Sequence, residues 1–169
     1  INFWIRNNEV DKTNMVFWDF NAGTSSNANR VFLQYAASTN RLLCQLRTSS
    51  TNFNKQIPLH NNSGTTGISN SSTGWRAAQR GNTNAQNFTM ITVTYDHSQS
   101  TAANAFQFYW NGTNINNSAV TSNGTRTNTD MNKLCIASQC HNLTGTGNAN
   151  CDIDEWAYYS SVLSTSQIS

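Results

Sequence analysis

The sequence predicts an all-β fold, built as an antiparallel sandwich or barrel. Short segments in which residue character alternates with a period of two recur along the 169 residues. The spacers between them are rich in Asn, Gly, Ser and Thr, which are turn formers. No stretch of ten or more residues carries a convincing helical period, so strands are expected to far outweigh helix.

Eight strands are predicted. In Phe88–Tyr95 both faces are β-compatible and mostly apolar, which is typical of a central strand. Ser49–Gln86 is the least regular region, and we expect long loops there with one or two short strands around Ile57 and Trp75. In chain order the predicted strands are Asn2–Arg6, Met15–Phe20, Arg30–Tyr35, Arg41–Arg47, Phe88–Tyr95, Ala105–Trp110, Lys133–Ser138 and Cys151–Tyr159.

Two local signals refine this prediction. Asn111-Gly112 follows an alternating strand, and both residues tolerate the positive φ angles of a tight hairpin, so Gly112 is expected at positive φ. Ser164 is followed three residues later by Gln167, a capping-box pattern that predicts the one helical turn of the chain after Val162. Residues 1–169 are predicted to form a single domain. The chain opens at Ile1 in a strand-like run and closes in a helix start, so we expect it to be a piece of a longer polypeptide.

Composition narrows the class of partner. The net charge of +2 is too small for a nucleic-acid footprint, and no apolar run is long enough to insert in a membrane. Charged residues make up 11% of the chain, below the usual level of about 25%. A polar but nearly uncharged surface suits hydroxyl-rich partners such as glycans, or a dense protein lattice. Codon bias acting on a loop-rich β protein is a plainer explanation of this low-charge, polar composition.

The four cysteines allow several arrangements. Cys44 and Cys135 lie in the middle of predicted strands, where buried free thiols are expected. Cys140 and Cys151 flank a loop that a disulfide between them could close, in an oxidising compartment. A zinc site from Cys135, Cys140, His141 and Cys151 is an alternative, although the C-x-x-C spacing of common structural zinc sites is absent.

Three segments carry a family resemblance. VTYD followed by FYWNG, the opening INFWIRNNE and the closing CDIDEWAYYSSVLSTSQI resemble, in order and spacing, the laminin-G-like jelly-roll domains of the concanavalin A-like lectin/glucanase superfamily. The resemblance implies a two-sheet jelly-roll β-sandwich. Many such domains are non-catalytic modules for carbohydrate binding, adhesion or protein contact. Cys151 stands where the family usually has a small residue, which favours a local disulfide.

Asp152, Asp154 and Glu155 form the densest acidic cluster. Calcium is the one cofactor that the cluster suggests, because Ca²⁺ takes six to eight oxygen ligands. The resemblance makes Asp154 the preferred calcium ligand, and it is expected to be the carboxylate most involved in the fold. The alternative is that Asp154 and Glu155 accept hydrogen bonds from loop backbone.

No catalytic residues are predicted. The glucanases of the superfamily carry an E-x-D-x-E or E-x-D-x-x-E strand, and the leading Glu is missing here. The chain has only two glutamates, Glu9 and Glu155, on distant predicted strands, whereas glycoside hydrolysis needs two carboxylates placed across the sugar.

Trp75 and Arg76 are the predicted ligand-binding residues, because they lie in the irregular region where a sandwich displays its loops. A hydrophobic plug under a long loop is the alternative role for Trp75.

The sequence therefore predicts a non-catalytic binding or adhesion module of a surface protein, contacting glycans or neighbouring protein subunits. A virion structural module, such as a capsid decoration, fibre or spike protein, is the alternative, and a glycan-active hydrolase comes third. The expected location is extracellular, on a cell surface or on a virion, and a homo-oligomer or lattice is compatible with the composition.

Overall fold

A computed structural model of the chain describes residues 1–7, 14–22, 29–36, 41–48, 51–58, 88–116, 119–126, 131–140, 149 and 151–168. These residues contain eleven strands and two single helical turns, Ala102–Ala105 and Thr165–Ile168. The strands are β1 (Asn2–Asn7), β2 (Asn14–Asn21), β3 (Arg30–Ala36), β4 (Arg41–Arg47), β5 (Asn52–Pro58), β6 (Thr89–Tyr95), β7 (Phe106–Trp110), β8 (Thr113–Asn114), β9 (Val120–Asn123), β10 (Lys133–Ile136) and β11 (Cys151–Ala157).

The strands form two antiparallel sheets, which confirms the predicted β-sandwich. The five-stranded sheet has the order β11-β1-β6-β7-β8, and the six-stranded sheet has the order β10-β2-β3-β4-β5-β9. β1 and β2 are consecutive in sequence but belong to different sheets, as do β5 and β6. No helix in the described part of the chain has the length and apolarity needed to cross a bilayer.

The main core fills the space between the sheets. Phe3 of β1 meets Phe17 of β2 with ring centroids 6.2 Å apart, and Phe53 of β5 meets Phe106 of β7 at 5.8 Å. All four rings are almost fully buried. Because burying one such side chain contributes about 1.5–3 kcal/mol, this inter-sheet aromatic layer is a main source of stability.

A second set of buried residues lies on the outer face of the six-stranded sheet. Val16, Phe32 and Leu43 form a separate apolar cluster on three adjacent strands. Beside them, Arg30 forms a bidentate ion pair with Asp19: Nε lies 3.1 Å from Oδ1, and Nη2 lies 2.9 Å from Oδ2. Both side chains are buried, and the Arg30 guanidinium lies 4.0 Å from the centre of the Phe32 ring.

The Asp19 carboxylate has a third partner, because the backbone N–H of Cys140 donates to Oδ2 at 2.9 Å. Burial raises the pKa of Asp19, while the Arg30 charge and the Cys140 hydrogen bond act in the opposite direction. Asp19 is therefore more deeply involved in the fold than Asp154, which is exposed, and the expectation for Asp154 is wrong.

Most predicted strands are confirmed within one or two residues. Lys133–Ser138 is shorter than predicted because Ala137 adopts a φ of 58°, which ends β10. The strand around Ile57 is a full seven residues, and β8 and β9 were not predicted. Among the described strands β9 pairs with β5 alone, which lies more than sixty residues earlier in sequence, so local alternation could not reveal it.

The prediction of a single helical turn is wrong. The turn after Val162 is present, and the Ser164 N–H donates to Gln167 Oε1 at 2.9 Å as the capping box predicts. The second turn, Ala102–Ala105, has no helical period in sequence. Its end is held instead by the buried Lys55, whose Nζ donates to the carbonyl oxygens of Ala103 and Phe106 at 2.8 and 2.7 Å. Burial lowers the pKa of Lys55 to about 8.

The Asn111-Gly112 hairpin is confirmed. Asn111 and Gly112 have φ angles of 48° and 78°, and Trp110 pairs directly with Thr113. Asn111 Oδ1 also accepts a hydrogen bond from the Met90 N–H at 2.9 Å, which ties the turn to β6.

Gly112→Val is expected to lower the free energy of unfolding by about 1 kcal/mol or more, because a β-branched residue fits positive φ poorly. The control is Gly112→Asn, which should cost less because Asn tolerates this region. Urea denaturation of the three proteins measures the difference. Equal midpoints for wild type and Gly112→Val would contradict the prediction.

Arg30→Met is expected to cost about 3–5 kcal/mol of unfolding free energy, because it leaves the Asp19 carboxylate buried without its counter-charge. The double variant Asp19→Asn/Arg30→Met removes that charge and keeps an acceptor for the Cys140 N–H, so it should recover much of the loss. A double-mutant cycle in urea under oxidising conditions measures both. Simple additivity of the two substitutions would show that the pair does not act as a unit.

Candidate functional site

The described residues enclose a cleft of about 580 Å³ at one side of the sandwich, where the inter-sheet space opens to solvent. We call it the tyrosine cleft and define it by Tyr95, Asp96 and His97 on one wall and Tyr158–Leu163 on the other. Its inner surface is mostly apolar and is formed by Ile1, Trp18, Phe20, Val31, Cys44, Val93, Thr94, Phe106 and Met131.

One wall is built on a chain of aromatic contacts that begins in the core. The rings of Trp18 and Phe20 lie edge to face at 5.9 Å, and Phe20 lies 5.8 Å from Tyr158 and 6.4 Å from Trp156. Tyr158 is nevertheless 62% exposed, and Tyr159 is 43% exposed. Phe20 therefore contacts the Tyr158 ring, while most of Tyr158 remains exposed to solvent.

A β-bulge in β11 produces this arrangement. Trp4 pairs with Asp154 but Asn2 pairs with Ala157, so Glu155 and Trp156 together lie opposite one residue of β1. Glu155 has a φ of 49°, and its N–H donates to Asp154 Oδ1 at 2.8 Å.

The bulge changes which side chains point inward. Ile153 and Trp156 are three residues apart, yet both pack against the core, while Asp154 and Glu155 between them are exposed. Strict alternation would have placed Ile153 and Glu155 on one face. Asp154 and Glu155 of the acidic cluster are thus the exposed side of a bulge that directs Trp156 toward the core, and Tyr158 follows at the cleft.

The opposite wall carries a second aromatic series. Phe106 and Tyr95 have ring centroids 4.8 Å apart, and Tyr95 meets the His97 ring edge to face at 5.9 Å. The Tyr95 hydroxyl also lies 2.9 Å from His97 Nδ1 in a hydrogen bond. Burial raises the pKa of Tyr95, against a hydrogen bond from Arg126.

Asp96 supplies the carboxylate of the rim. Its Oδ1 accepts hydrogen bonds from the Ser98 N–H at 2.9 Å and the Ser98 hydroxyl at 2.7 Å, and its Oδ2 accepts one from Gln99 Nε2 at 3.0 Å. These bonds, first those from Ser98 and Gln99 side chains, lower the pKa of Asp96. Arg126 completes the region, since its Nη1 donates to the His97 carbonyl at 2.7 Å and its guanidinium lies 4.8 Å from the Phe53 ring.

This arrangement offers a ligand two kinds of contact. Two aromatic walls offer flat apolar surfaces, and the rim offers a carboxylate, an imidazole and the Ser160 and Ser161 hydroxyls. Asp96 is the one carboxylate among the described residues that line the cleft. Glycoside hydrolysis by the common mechanisms needs a pair of carboxyl groups about 5–9.5 Å apart.

Of the site residues predicted from the sequence, the structure describes Asp154 but not Trp75 or Arg76. Trp75 and Arg76 lie outside the described residues, so the predicted ligand surface stays a prediction. Asp154 is described, but in the part of the chain that the structure covers no three His, Cys, Asp or Glu side chains come together as a metal site. Calcium binding by Asp154 therefore also stays a prediction.

The predicted Cys140–Cys151 disulfide is wrong. Cys140 is bridged to Cys135, with Cα atoms 5.3 Å apart, while Cys44 and Cys151 are free thiols. The positive φ of Ala137 turns the chain back after β10, and the hydrogen bond to Asp19 holds Cys140 beside the six-stranded sheet. Cys151 instead begins β11 in the other sheet. The bridge also removes two of the thiolates that the alternative zinc site required, and Cys135 is not the free thiol that was expected.

Neither a protein-family model nor a curated protein sequence matches this chain. Solved structures do match. They include the CBM40 carbohydrate-binding module of the Ruminococcus gnavus IT-sialidase bound to α2,6-sialyllactose, with a TM-score of 0.61 and 10% identity over 99% of this chain and 78% of that one. The same module without ligand and bound to α2,3-sialyllactose matches with TM-scores of 0.59, each at 10% identity.

This likeness shows the fold: the chain is a jelly-roll β-sandwich. The finer placement among laminin-G-like domains stays a prediction. The cleft residues Tyr95, Asp96, His97, Tyr158 and Tyr159 were not predicted as a site. All except His97 lie in the segments that carry the family resemblance, but sequence alone gave no sign that the turn after β6 and the segment after β11 line one cleft.

Glu155→Gly is expected to raise the unfolding free energy by about 1 kcal/mol, because glycine adopts positive φ without the steric cost that other residues incur. Glu155→Ala is the matched control: it removes the carboxylate but keeps the Cβ, so it should not stabilise. Chemical denaturation of both variants tests the bulge. A glycine variant less stable than the alanine variant would contradict the prediction that position 155 favours glycine.

Proposed function

We propose that this chain is a non-catalytic glycan-binding module that holds carbohydrate in the tyrosine cleft. The observation that carries the proposal is the Tyr158 ring, which is supported by Phe20 yet 62% exposed at the mouth of a cleft with a polar rim. An aromatic ring that is exposed to solvent but held in place by other aromatic rings is suited to stacking on a ligand.

The chemistry of sugars fits both parts of the cleft. A pyranose ring presents C–H groups on its faces, which pack on aromatic rings, and hydroxyl groups around its edge, which need donors and acceptors. Tyr158 and Tyr159 offer the rings, while Asp96, His97 and Ser160 offer hydrogen-bonding groups. Because water competes for each hydrogen bond, one bond contributes only about 0.5–1.5 kcal/mol. Single-site affinity should be weak, and useful binding should come from several copies acting together.

The structural comparisons support this proposal at the level of the fold. A carbohydrate-binding module covers 99% of this chain, and two of its structures were determined with a sialylated sugar. Fold likeness at 10% identity leaves the binding residues to be argued from this chain alone. An extracellular or surface location, with a role in adhesion, follows as part of the proposal.

We further propose that the module does not cleave its ligand. The described lining of the cleft holds Asp96 as a single carboxylate, and hydrogen bonds from Ser98 and Gln99 favour its ionised form. A general acid needs the opposite, a carboxyl group that keeps its proton near neutral pH. Glu155 is exposed on the bulge of β11, and Glu9 lies outside the described residues.

A structural role in an assembly, including a virion, is the second candidate. β10 is an edge strand of the six-stranded sheet, and its Leu134 and Ile136 side chains are 40% and 42% exposed. An edge strand with exposed apolar side chains can pair with another chain. The oligomeric state of the purified protein separates the candidates, because a lattice or fibre module should form a symmetric assembly.

Tyr158→Ala is expected to weaken glycan binding about threefold to tenfold, which corresponds to the roughly 0.5–1.5 kcal/mol of an aromatic contact. Tyr158→Phe is the matched control and should retain most of the affinity because it keeps the ring. The assay is an oligosaccharide panel on monomeric and multivalent protein, scored for binding and for cleavage.

Trp75→Ala belongs in the same panel because it tests the surface predicted from the sequence. Loss of binding in Trp75→Ala with full binding in Tyr158→Ala would move the site to the Trp75 and Arg76 region. Measurable turnover of any oligosaccharide would end the proposal of a non-catalytic module.

A further inference from the structure

Resting on the proposed glycan-binding function, we propose that the tyrosine cleft selects neutral glycans and discriminates against sugars that carry a carboxylate, because its described lining contains the Asp96 carboxylate and no lysine or arginine. The proposal concerns the class of ligand at the same site. It sets this chain apart from the carbohydrate-binding module that shares its fold, whose structures contain sialyllactose.

The existing hydrogen bonds of Asp96 limit the ligand groups that its carboxylate can still bind to hydrogen-bond donors. An ionised carboxylate has about four acceptor positions and no donor. Three are used, two on Oδ1 by Ser98 and one on Oδ2 by Gln99. The position that remains can accept from a sugar hydroxyl, which is a donor. A ligand carboxylate has no proton to donate at neutral pH, so it gains no hydrogen bond there and meets a like charge.

Little positive charge offsets Asp96 within the cleft. The described lining contains no lysine or arginine. The Arg126 guanidinium contacts the rim, where its hydrogen bonds to the His97 carbonyl and to the Tyr95 side chain, and its packing on the Phe53 ring, already engage it. The Ile1 amino group donates to the Val93 carbonyl at 2.9 Å, and burial lowers its pKa. His97 Nδ1 is engaged by the Tyr95 hydroxyl.

Three further arginines of the described residues lie away from the cleft. Arg30, Arg41 and Arg47 lie on the six-stranded sheet, in β3 and β4. Arg30 is already paired with Asp19, and Arg41 Nη1 donates to Gln56 Oε1 at 3.1 Å. None of the three lines the tyrosine cleft. Binding of an acidic sugar through Arg41 or Arg47 would therefore be binding at a different surface, which the experiment has to detect.

The test compares two probes on one multivalent carrier, lactose and sialyllactose, which differ by a single acidic sugar. Wild-type protein is expected to bind the lactose probe about tenfold more tightly, in line with the repulsion of two charges several ångströms apart near a protein surface. The preference should shrink as salt increases, because exposed charges are screened.

Two variants test whether the charge of Asp96 causes the preference for the lactose probe. Asp96→Asn removes the charge but keeps an acceptor oxygen for Ser98, so it should raise affinity for the sialyllactose probe several-fold and bring the ratio of the two affinities toward one. Gln99→Ala is the control: it removes a partner of Asp96 and keeps the charge, so the ratio should stay as in wild type. Unfolding midpoints of both variants show that they are folded.

The outcomes separate the two proposals. Equal or tighter binding of sialyllactose by wild type would overturn the selectivity while leaving glycan binding intact. So would an unchanged ratio in Asp96→Asn, or sialyllactose binding that is lost in Arg41→Ala or Arg47→Ala. If the protein binds neither of the two probes and no neutral sugar of the wider panel, the proposed glycan-binding function itself is overturned.

Discussion

The aromatic layer between the two sheets is the interaction on which the rest of this structure depends. Phe3, Phe17, Phe53 and Phe106 hold the sheets together in the centre. The same layer continues to the side of the sandwich, where Trp18 and Phe20 lead outward to Tyr158. At the cleft the aromatic packing no longer fills the space between the two sheets, and that space opens to solvent. A binding surface that grows out of the core is ordered by it, so its rings lose little conformational freedom when a ligand arrives.

What could be predicted from the sequence was local. Period-two alternation located most strands, Asn111-Gly112 located a hairpin, and Ser164 with Gln167 located a capped helical turn. Each depends on residues a few positions apart. The features that were missed depend on distant partners, as when β9 pairs with β5, or Lys55 supports the Ala102–Ala105 turn from another sheet.

The cysteines and the acidic cluster illustrate the same limit. Cys140 pairs with Cys135 because Asp19, more than a hundred residues earlier, holds its backbone beside β10. Asp154 and Glu155 look like a ligand set in sequence, but the register of β1 against β11 makes them the outside of a bulge. The cleft likewise joins the turn after β6 with the segment after β11. Its members were visible in the sequence as family-like segments, yet only tertiary structure shows that they share a surface.

The bulge in β11 also affects whether the edge of this sheet can pair with a second copy of the chain. Among the described strands β11 is an outer strand of the five-stranded sheet, and edge strands can template pairing with another chain. Asp152 of that strand is paired with Arg6, but Asp154 and Glu155 are exposed and Glu155 has an irregular backbone, so an approaching copy would meet like charge and broken register. The other sheet ends at β10, where Lys133 is the single charge among exposed apolar side chains. β11 and β10 lie on the same side of the sandwich, next to β1 and β2, so we expect strand pairing with a second copy to use the β10 edge rather than the β11 edge.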